Sequence, residues 1–369
     1  MKSKKRRKFI SIVGARPNFI KIAPVLKNLK AYKGIDSLLL HTGQHYDKEM
    51  SKIFFDDLKL PKPDIYLDAG GRGGKNKEIT KMMSSLECVL SQEKPDLVIV
   101  VGDVNSTVAG AIVASRLSIP IAHIESGLRS FDLSMPEEIN RIVTDSLSNL
   151  LFTPSREANE NLYREGIRRN KVHYVGNVMI DTLTSFRRQI NSNTRALRVL
   201  GINERQYAML TLHRPSNVDK PEDLRKIIEA ISFIQDKVKI IFPVHPRTMS
   251  SLEKFNFSKS LARKKNIRLV PPMGYLDFLT LINKSLFVIT DSGGIQEETT
   301  ILGVPCLTVR KNTERPVTVA EGTNTIVGTD PKEIIKESQK ILEGKGKAGR
   351  IPELWDGNAA KRIVEILVN

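Results

Sequence analysis

Ser285-Leu-Phe-Val-Ile-Thr-Asp-Ser-Gly-Gly-Ile-Gln-Glu-Glu-Thr299 decides the fold. Through Ile289 it is an unbroken apolar run of strand length, as expected of a strand covered on both faces of a parallel sheet. Its second half leads into a short helix that stops at Gly303, with Pro305 just beyond. A strand that ends in Asp-Ser-Gly-Gly and feeds a helix suits an anion. Ser292 is a good N-cap, and Gly293 and Gly294 let backbone approach a ligand closely. The first helical N–H groups then face the ligand at the positive end of the helix dipole. An ordinary capped turn has the same residues, so on this stretch alone the two readings weigh equally.

The alternation of strand and helix extends outward from here. Strand-sized apolar runs at 9–13, 37–40, 96–101, 120–124, 150–153 and 172–175 alternate with helical patterns at 18–32, 48–58, 78–93, 106–116, 136–147 and 156–164. A Gly/Lys-rich loop occupies 70–75. After a helix at 178–190 and a polar passage at 191–206, the series restarts. Strands at 207–212, 239–242 and 267–270 interleave with helices at 222–235 and 275–283, and helices at 332–342 and 359–367 follow. A chain of 369 residues is too long for one core. The pattern predicts an α/β protein with two Rossmann-like domains and a deep inter-domain cleft, the ligand lying beyond the carboxyl ends of the strands.

Composition narrows the function. Aromatics make up 6% of the chain, with one tryptophan, Trp355, which disfavours a base- or sugar-stacking platform. The longest apolar runs are strand-sized, so no transmembrane helix is expected, and a signal peptide is disfavoured; a cytoplasmic protein is the expectation. Cys88 and Cys306 are far apart and lack metal spacing, so neither zinc nor a disulfide framework is expected. The net charge is +17, and removing the six cations of Lys2, Lys4, Lys5, Arg6, Arg7 and Lys8 still leaves +11. Such a terminal run is usually a solvated end. The dispersed remainder would steer anionic substrates such as nucleotides, and nucleic-acid binding is the minor reading.

Residues just after the strands carry the chemistry. Gly14-Ala-Arg-Pro17 supplies Arg16, a planar fork suited to phosphate, with Lys21 one turn into the helix. It is not a GxGxxG fingerprint, which disfavours NAD. Asp103 follows the next central strand and is either a helix cap or an acid/base group. Glu125, in His123-Ile-Glu-Ser-Gly127, sits where a side chain reaches the cleft. Glu137 and Glu138 open a helix behind Pro136, which alone is ordinary dipole chemistry. His213 and His245 end successive strands of the second half without metal-ligand spacing. Three candidate carboxylates in the first half and a phosphate turn with histidine in the second suggest a nucleotide-linked substrate and proton transfer by acids.

These motifs together resemble the non-hydrolysing UDP-N-acetylglucosamine 2-epimerases. Gly14-Ala-Arg-Pro17, Thr42-Gly-Gln-His45, Val101-Gly-Asp103, His123-Ile-Glu-Ser-Gly-Leu-Arg129, Pro136-Glu-Glu-Ile-Asn-Arg141, Gly176-Asn177, His213-Arg214, Pro243-Val-His245, Asp291-Ser-Gly-Gly-Ile-Gln-Glu-Glu298 and Thr313-Glu-Arg-Pro316 stand in the family's order. The resemblance implies a glycosyltransferase B-type fold with the last helix returned to the first domain: 1–177 plus 355–369, and 178–354. It implies reversible epimerisation at carbon 2 of UDP-N-acetylglucosamine to UDP-N-acetylmannosamine, through elimination of UDP to 2-acetamidoglucal and re-addition, feeding polysaccharide precursors without NAD, metal or other cofactor. Asp103, Glu125, Glu137 and His213 match the catalytic positions. Arg16, Lys21, Arg141, His213, Tyr275, Ser292, Gly293, Gly294 and Glu298 match substrate-binding ones, with Glu298 on the ribose. Gln44, His45, Arg214 and His245 match an effector site for a second UDP-N-acetylglucosamine, and a homodimer is expected. After His213 the chain reads Arg-Pro-Ser-Asn-Val218, where bacterial members commonly carry a second arginine and a glutamate. A hydrolysing epimerase and a nucleotide-sugar glycosyltransferase are the competing enzymes.

Overall fold

The computed structural model describes residues 6–43, 61–67, 69 and 75–369. By compactness the chain forms two units, Met1–Ser185 with Glu353–Asn369 (unit 1) and Phe186–Pro352 (unit 2). The sequence boundary at 178 falls at the start of helix Val178–Ser192, whereas the units divide within that helix. The expected helix at 48–58 and all but the last residue of the loop at 70–75 lie outside the described residues; Lys75 opens the helix Lys75–Glu93.

Unit 1 is built on a seven-stranded sheet with strands β1 (Arg7–Val13), β2 (Ile35–His41), β3 (Ile65–Tyr66), β4 (Leu97–Val101), β5 (Ile121–Ile124), β6 (Leu150–Thr153) and β7 (Val172–Tyr174). Their order is β3-β2-β1-β4-β5-β6-β7, and every pairing is parallel. All five residues of β4 are buried. Covering by helices on both faces is what makes Leu-Val-Ile-Val-Val read as one apolar run. Ile10, Ile12, Val98 and Val100 meet Leu86, Leu90, Ala109 and Val113 of flanking helices in one core. The helix Ala359–Val368 belongs to this unit. The Asp181 carboxylate accepts from Ala359 N (3.1 Å) and Ala360 N (2.7 Å), and Trp355 Nε1 donates to Pro154 O at 2.8 Å. Those bonds satisfy two of the helix's otherwise orphaned N–H groups.

Unit 2 repeats the plan with β8 (Tyr207–Thr211), β9 (Lys239–Pro243), β10 (Ile267–Val270), β11 (Phe287–Thr290), β12 (Cys306–Thr308) and β13 (Asn324–Ile326), ordered β10-β9-β8-β11-β12-β13. All are parallel. Proline starts its helices Pro221–Ile234, Pro246–Lys254 and Pro331–Leu342, where its missing N–H costs nothing. Two features differ from the sequence expectation. The polar passage at 191–206 holds a helix, Arg195–Leu200, whose Ala196, Leu197 and Leu200 pack with Tyr207, Met209 and Ile241. Its arginines masked an apolar i, i+1, i+4 stripe. Strands β12 and β13, of three residues each, were also not anticipated. The α/β class with two Rossmann-like parallel sheets is the one expected.

In each sheet the strand order reverses at one point, between β1 and β4 and between β8 and β11. In open parallel sheets, ligands bind beyond the carboxyl ends of strands at such a reversal. Gly14, Gly102 and Glu125 follow β1, β4 and β5, and His213 and Asp291 lie just beyond β8 and β11.

Candidate active site

Unit 1 gathers its charged groups at those strand ends. Asn18 ties β1 to β4: its Oδ1 accepts from Gly14 N and Ala15 N at 3.2 and 3.1 Å, and its Nδ2 donates to Val101 O at 2.8 Å. One turn on, the Lys21 ammonium is paired with the Glu125 carboxylate, both almost wholly buried. Glu125 has φ +67°, the left-handed region, which costs a residue other than glycine of order 1–3 kcal/mol. The turn is held by Phe152 O, which accepts from Glu125 N (3.0 Å) and Ser126 N (3.1 Å). Gly102 lies opposite, with φ +66°. A Cβ there would lie 3.1 Å from Glu125 Oε2 and 3.2 Å from Lys21 Nζ, so glycine admits the ion pair.

Asp103 is partnered by Arg141 on the helix Pro136–Leu147. Arg141 also reaches Glu138 Oε2 through Nη2 (2.7 Å) and Nε (3.1 Å). Glu138 is buried and accepts from Ser130 N at 3.0 Å, Ser130 Oγ at 3.0 Å and Phe131 N at 2.8 Å. Burial pushes its carboxyl up, but the Ser130 and Phe131 N–H groups together with Arg141 hold it below the ordinary glutamate value. Glu137, one residue earlier, is exposed. Asn140 Nδ2 donates to Asp103 O at 2.9 Å, so this helix also grips the turn that bears Asp103. Arg16 opens the helix Arg16–Leu29, but its side chain lies outside what is described.

In unit 2, Asp291 is fully buried after β11 and accepts from His213 N, Arg214 N at 2.9 Å and Asn217 Nδ2 at 3.1 Å. Its Oδ1 is also 2.9 Å from His213 Nδ1. Burial raises the Asp291 carboxyl, and the His213 ring and the two backbone donors outweigh that, holding it low. The ring is thereby held with Nδ1 towards the acid, and the side chain is 40% exposed. His245 stacks obliquely on it, centroids 5.7 Å apart, and its Nδ1 accepts from Arg247 N at 3.2 Å.

The turn Ser292-Gly293-Gly294 begins the helix Gly293–Leu302, the strand-to-helix placement expected from sequence. Ser292 is its N-cap residue, yet the hydroxyl makes no capping bond. Beside Gly293 is a charged cluster that sequence reading missed. Glu314 is paired with Arg214 (3.0 Å), Arg310 (2.8 Å) and Arg315 (3.3 Å), and Arg315 also bonds Glu297 at 2.9 Å. A Cβ on Gly293 would sit 2.7 Å from Glu314 Oε1, so a larger residue would have to displace that carboxylate. Three guanidinium groups, those of Arg214, Arg310 and Arg315, meet Glu314 and Glu297 next to a helix N-terminus. Burial and the neighbouring Arg214 and Arg315 lower the Arg310 pKa, although Glu314 opposes this. The Thr313-Glu-Arg-Pro316 motif was the available sequence signal, though spacing alone gives it no role. Deeper in the helix, burial lifts Glu298 to about 8; its Oε1 accepts from Tyr275 OH at 3.1 Å, which only partly offsets this, and Glu297 adds to the rise.

The structure thus brings together Lys21 with Glu125 and Asp103 with Arg141 in unit 1, and His213 with His245 and Tyr275 with Glu298 in unit 2. Gln44 and His45 lie outside the described residues. Among the described residues, no helix is long and apolar enough to cross a membrane.

Known proteins match nearly the whole chain. The family model for UDP-N-acetylglucosamine 2-epimerase matches residues 27–368. A UDP-N-acetylglucosamine 2-epimerase of Methanocaldococcus jannaschii is 45% identical over 361 residues, 96% of this chain and 97% of its own. A UDP-2,3-diacetamido-2,3-dideoxy-D-glucuronate 2-epimerase of Pseudomonas aeruginosa is 42% identical over 365 residues, 98% of this chain and 99% of its own. The crystal structure of the M. jannaschii UDP-GlcNAc 2-epimerase in complex with UDP-GlcNAc and UDP superposes with a TM-score of 0.91 at 44% identity, covering 98% of this chain and 99% of that one. The chain therefore belongs to the UDP-N-acetylglucosamine 2-epimerase family.

Proposed function

We propose that the protein interconverts UDP-N-acetylglucosamine and UDP-N-acetylmannosamine without net hydrolysis. A carboxylate takes the carbon 2 proton while the bond from carbon 1 to the diphosphate oxygen breaks. The electron pair of the C–H bond becomes the carbon 1–carbon 2 double bond of 2-acetamidoglucal, and UDP leaves with the pair of the C–O bond. Re-addition of UDP at carbon 1, with a proton returned to the other face of carbon 2, completes the inversion.

The observation that carries this reading is the pair of separately held carboxylates at adjacent strand ends, Glu125 on Lys21 and Asp103 on Arg141. Inversion requires proton traffic on two faces, whereas transfer to an acceptor usually needs one base. Asp103, Glu125 and the exposed Glu137 are assigned the proton chemistry. In unit 2, His213, Ser292, Gly293 and Gly294 are assigned to the diphosphate, whose departure they stabilise, with Glu298 on the ribose and the backbone near Tyr275 on the uracil. Arg16, Lys21 and Arg141 are assigned to the sugar and phosphate side. Gln44, His45, Arg214 and His245 are assigned to a second, activating nucleotide sugar, and a homodimer remains part of the proposal. The second reading is a 2,3-diacetamido-glucuronate nucleotide as substrate, favoured by the P. aeruginosa relative.

Proton NMR in deuterated water separates these. With UDP-N-acetylglucosamine, deuterium is expected at carbon 2 as UDP-N-acetylmannosamine appears. Free N-acetylmannosamine with an equal amount of UDP would show a hydrolase instead. Exchange only with the diacetamido-glucuronate nucleotide would move the assignment to the second substrate.

A further inference from the structure

Three elements of unit 1 carry the proposed acid/base groups: the end of β4 with Asp103, the end of β5 with Glu125, and the helix Pro136–Leu147 with Glu137. All three converge on one hydrogen bond behind the site. His123, on β5, has no exposed surface; its Nδ1 is 2.6 Å from Asp145 Oδ1 and its Nε2 is 2.9 Å from Gly102 O. A carboxylate and a carbonyl both accept, so the ring serves as a double donor. Gly102 precedes Asp103 in the same turn. The other Asp145 oxygen accepts from Gly127 N at 3.1 Å, the last link of the turn that bears Glu125, and from Arg129 Nη2 at 2.7 Å. Arg129 is itself pinned by Glu165 through Nε (2.7 Å) and Nη2 (2.6 Å). Asp145 belongs to the helix that supplies Glu137 and Arg141.

The geometry points to His123 and Asp145 as a positioning pair that sets the spacing of the three proton-handling carboxylates. Neither touches the reacting atoms. His123 grips the Asp103 turn by its carbonyl and Asp145 grips the Glu125 turn by an N–H, and the 2.6 Å bond between them joins the two. Glu125 depends on this bracing because its left-handed backbone has no preference of its own for that conformation. The inference rests on the reading of Asp103, Glu125 and Glu137 as the acid/base groups. A misplacement of about 1 Å between such groups costs about 100-fold in rate.

Two conservative variants each keep half of the link. His123→Asn retains a donor for Asp145 and loses Gly102 O, while His123→Gln retains a donor for Gly102 O and loses Asp145. Both are expected to lower kcat roughly 10- to 100-fold with KM changed less than threefold, and with UDP affinity by calorimetry unaltered. Asp145→Asn should do the same. A role in packing alone predicts that the amides keep kcat within threefold of wild type, and that result would overturn the inference. Nitrogen-15 NMR of the labelled wild-type protein gives a readout independent of activity. Both ring nitrogens of His123 should bear hydrogen in slow exchange, and an unprotonated Nδ1 would also overturn it. Wild-type turnover is measured alongside: its absence defeats the functional reading, whereas active wild type with unaffected variants defeats this inference alone.

Discussion

Glu298 shows how burial can set the protonation state of a carboxyl group. Its carboxyl is held up at about 8 by desolvation, against an ordinary value of 4.5, with Tyr275 OH as a partial offset and Glu297 alongside. Between those values the unfolded chain loses the proton while the folded one keeps it. The folded state then binds more protons, so stability falls as pH rises from about 4.5 to about 8 and levels off above. The slope contributed by one group approaches about 1.4 kcal/mol per pH unit. Urea midpoints measured from pH 5 to 9 should therefore decline more steeply in wild type than in Glu298→Gln, the two curves running parallel above pH 8. Equal slopes from pH 5 to 8 would mean that Glu298 is ionised in the folded protein.

The helix Pro136–Leu147 places neighbouring acids in different surroundings. Glu138, Arg141 and Asp145 recur at i, i+3 and i+7 and form its buried stripe, while Glu137 is rotated out of it and is exposed. Removing the Glu138 charge leaves Ser130 N, Phe131 N and Arg141 with a weaker acceptor, at a cost of about 1–3 kcal/mol. Glu138→Gln should thus lower the urea midpoint, while Glu137→Gln should leave it unchanged and reduce carbon 2 exchange by roughly 100- to 10,000-fold. The opposite pairing of effects would transfer the chemistry to Glu138. Sequence shows the helix, its proline start and both acids, because proline and first-turn carboxylates are local signals. It cannot show which acid faces inward, since that depends on the phase of the helix against Ser130 and Asp103. The same limit hid Asp145, Glu297 and Arg315: their partners stand 16 to 22 residues away in the chain, and composition reads them as surface charge. Sheet order was hidden for the same reason, whereas strand ends that carry Asp103, Glu125, His213 and Ser292 could be read directly from apolar runs meeting Gly or Asp.

At the scale of the whole molecule, the seven- and six-stranded parallel sheets share one order over six strands, and each sets polar residues beyond the reversal. The division of labour follows from residue type. Unit 1 presents acids held by single cations, and unit 2 presents a helix N-terminus beside three arginines. The net charge of +17 extends the attraction for phosphate beyond these contacts. That long-range part is screened by salt, with a Debye length of about 10 Å at 0.1 M and about 3 Å at 1 M, whereas short-range hydrogen bonds to a phosphate ligand would persist. The dissociation constant for UDP should therefore rise several-fold between 0.05 and 0.5 M sodium chloride, and that for uridine should stay nearly constant. Calorimetry with both ligands checks this. Equal salt dependence for UDP and uridine would place the effect in the uracil pocket or in the fold, and would remove the dispersed charge from any account of substrate capture.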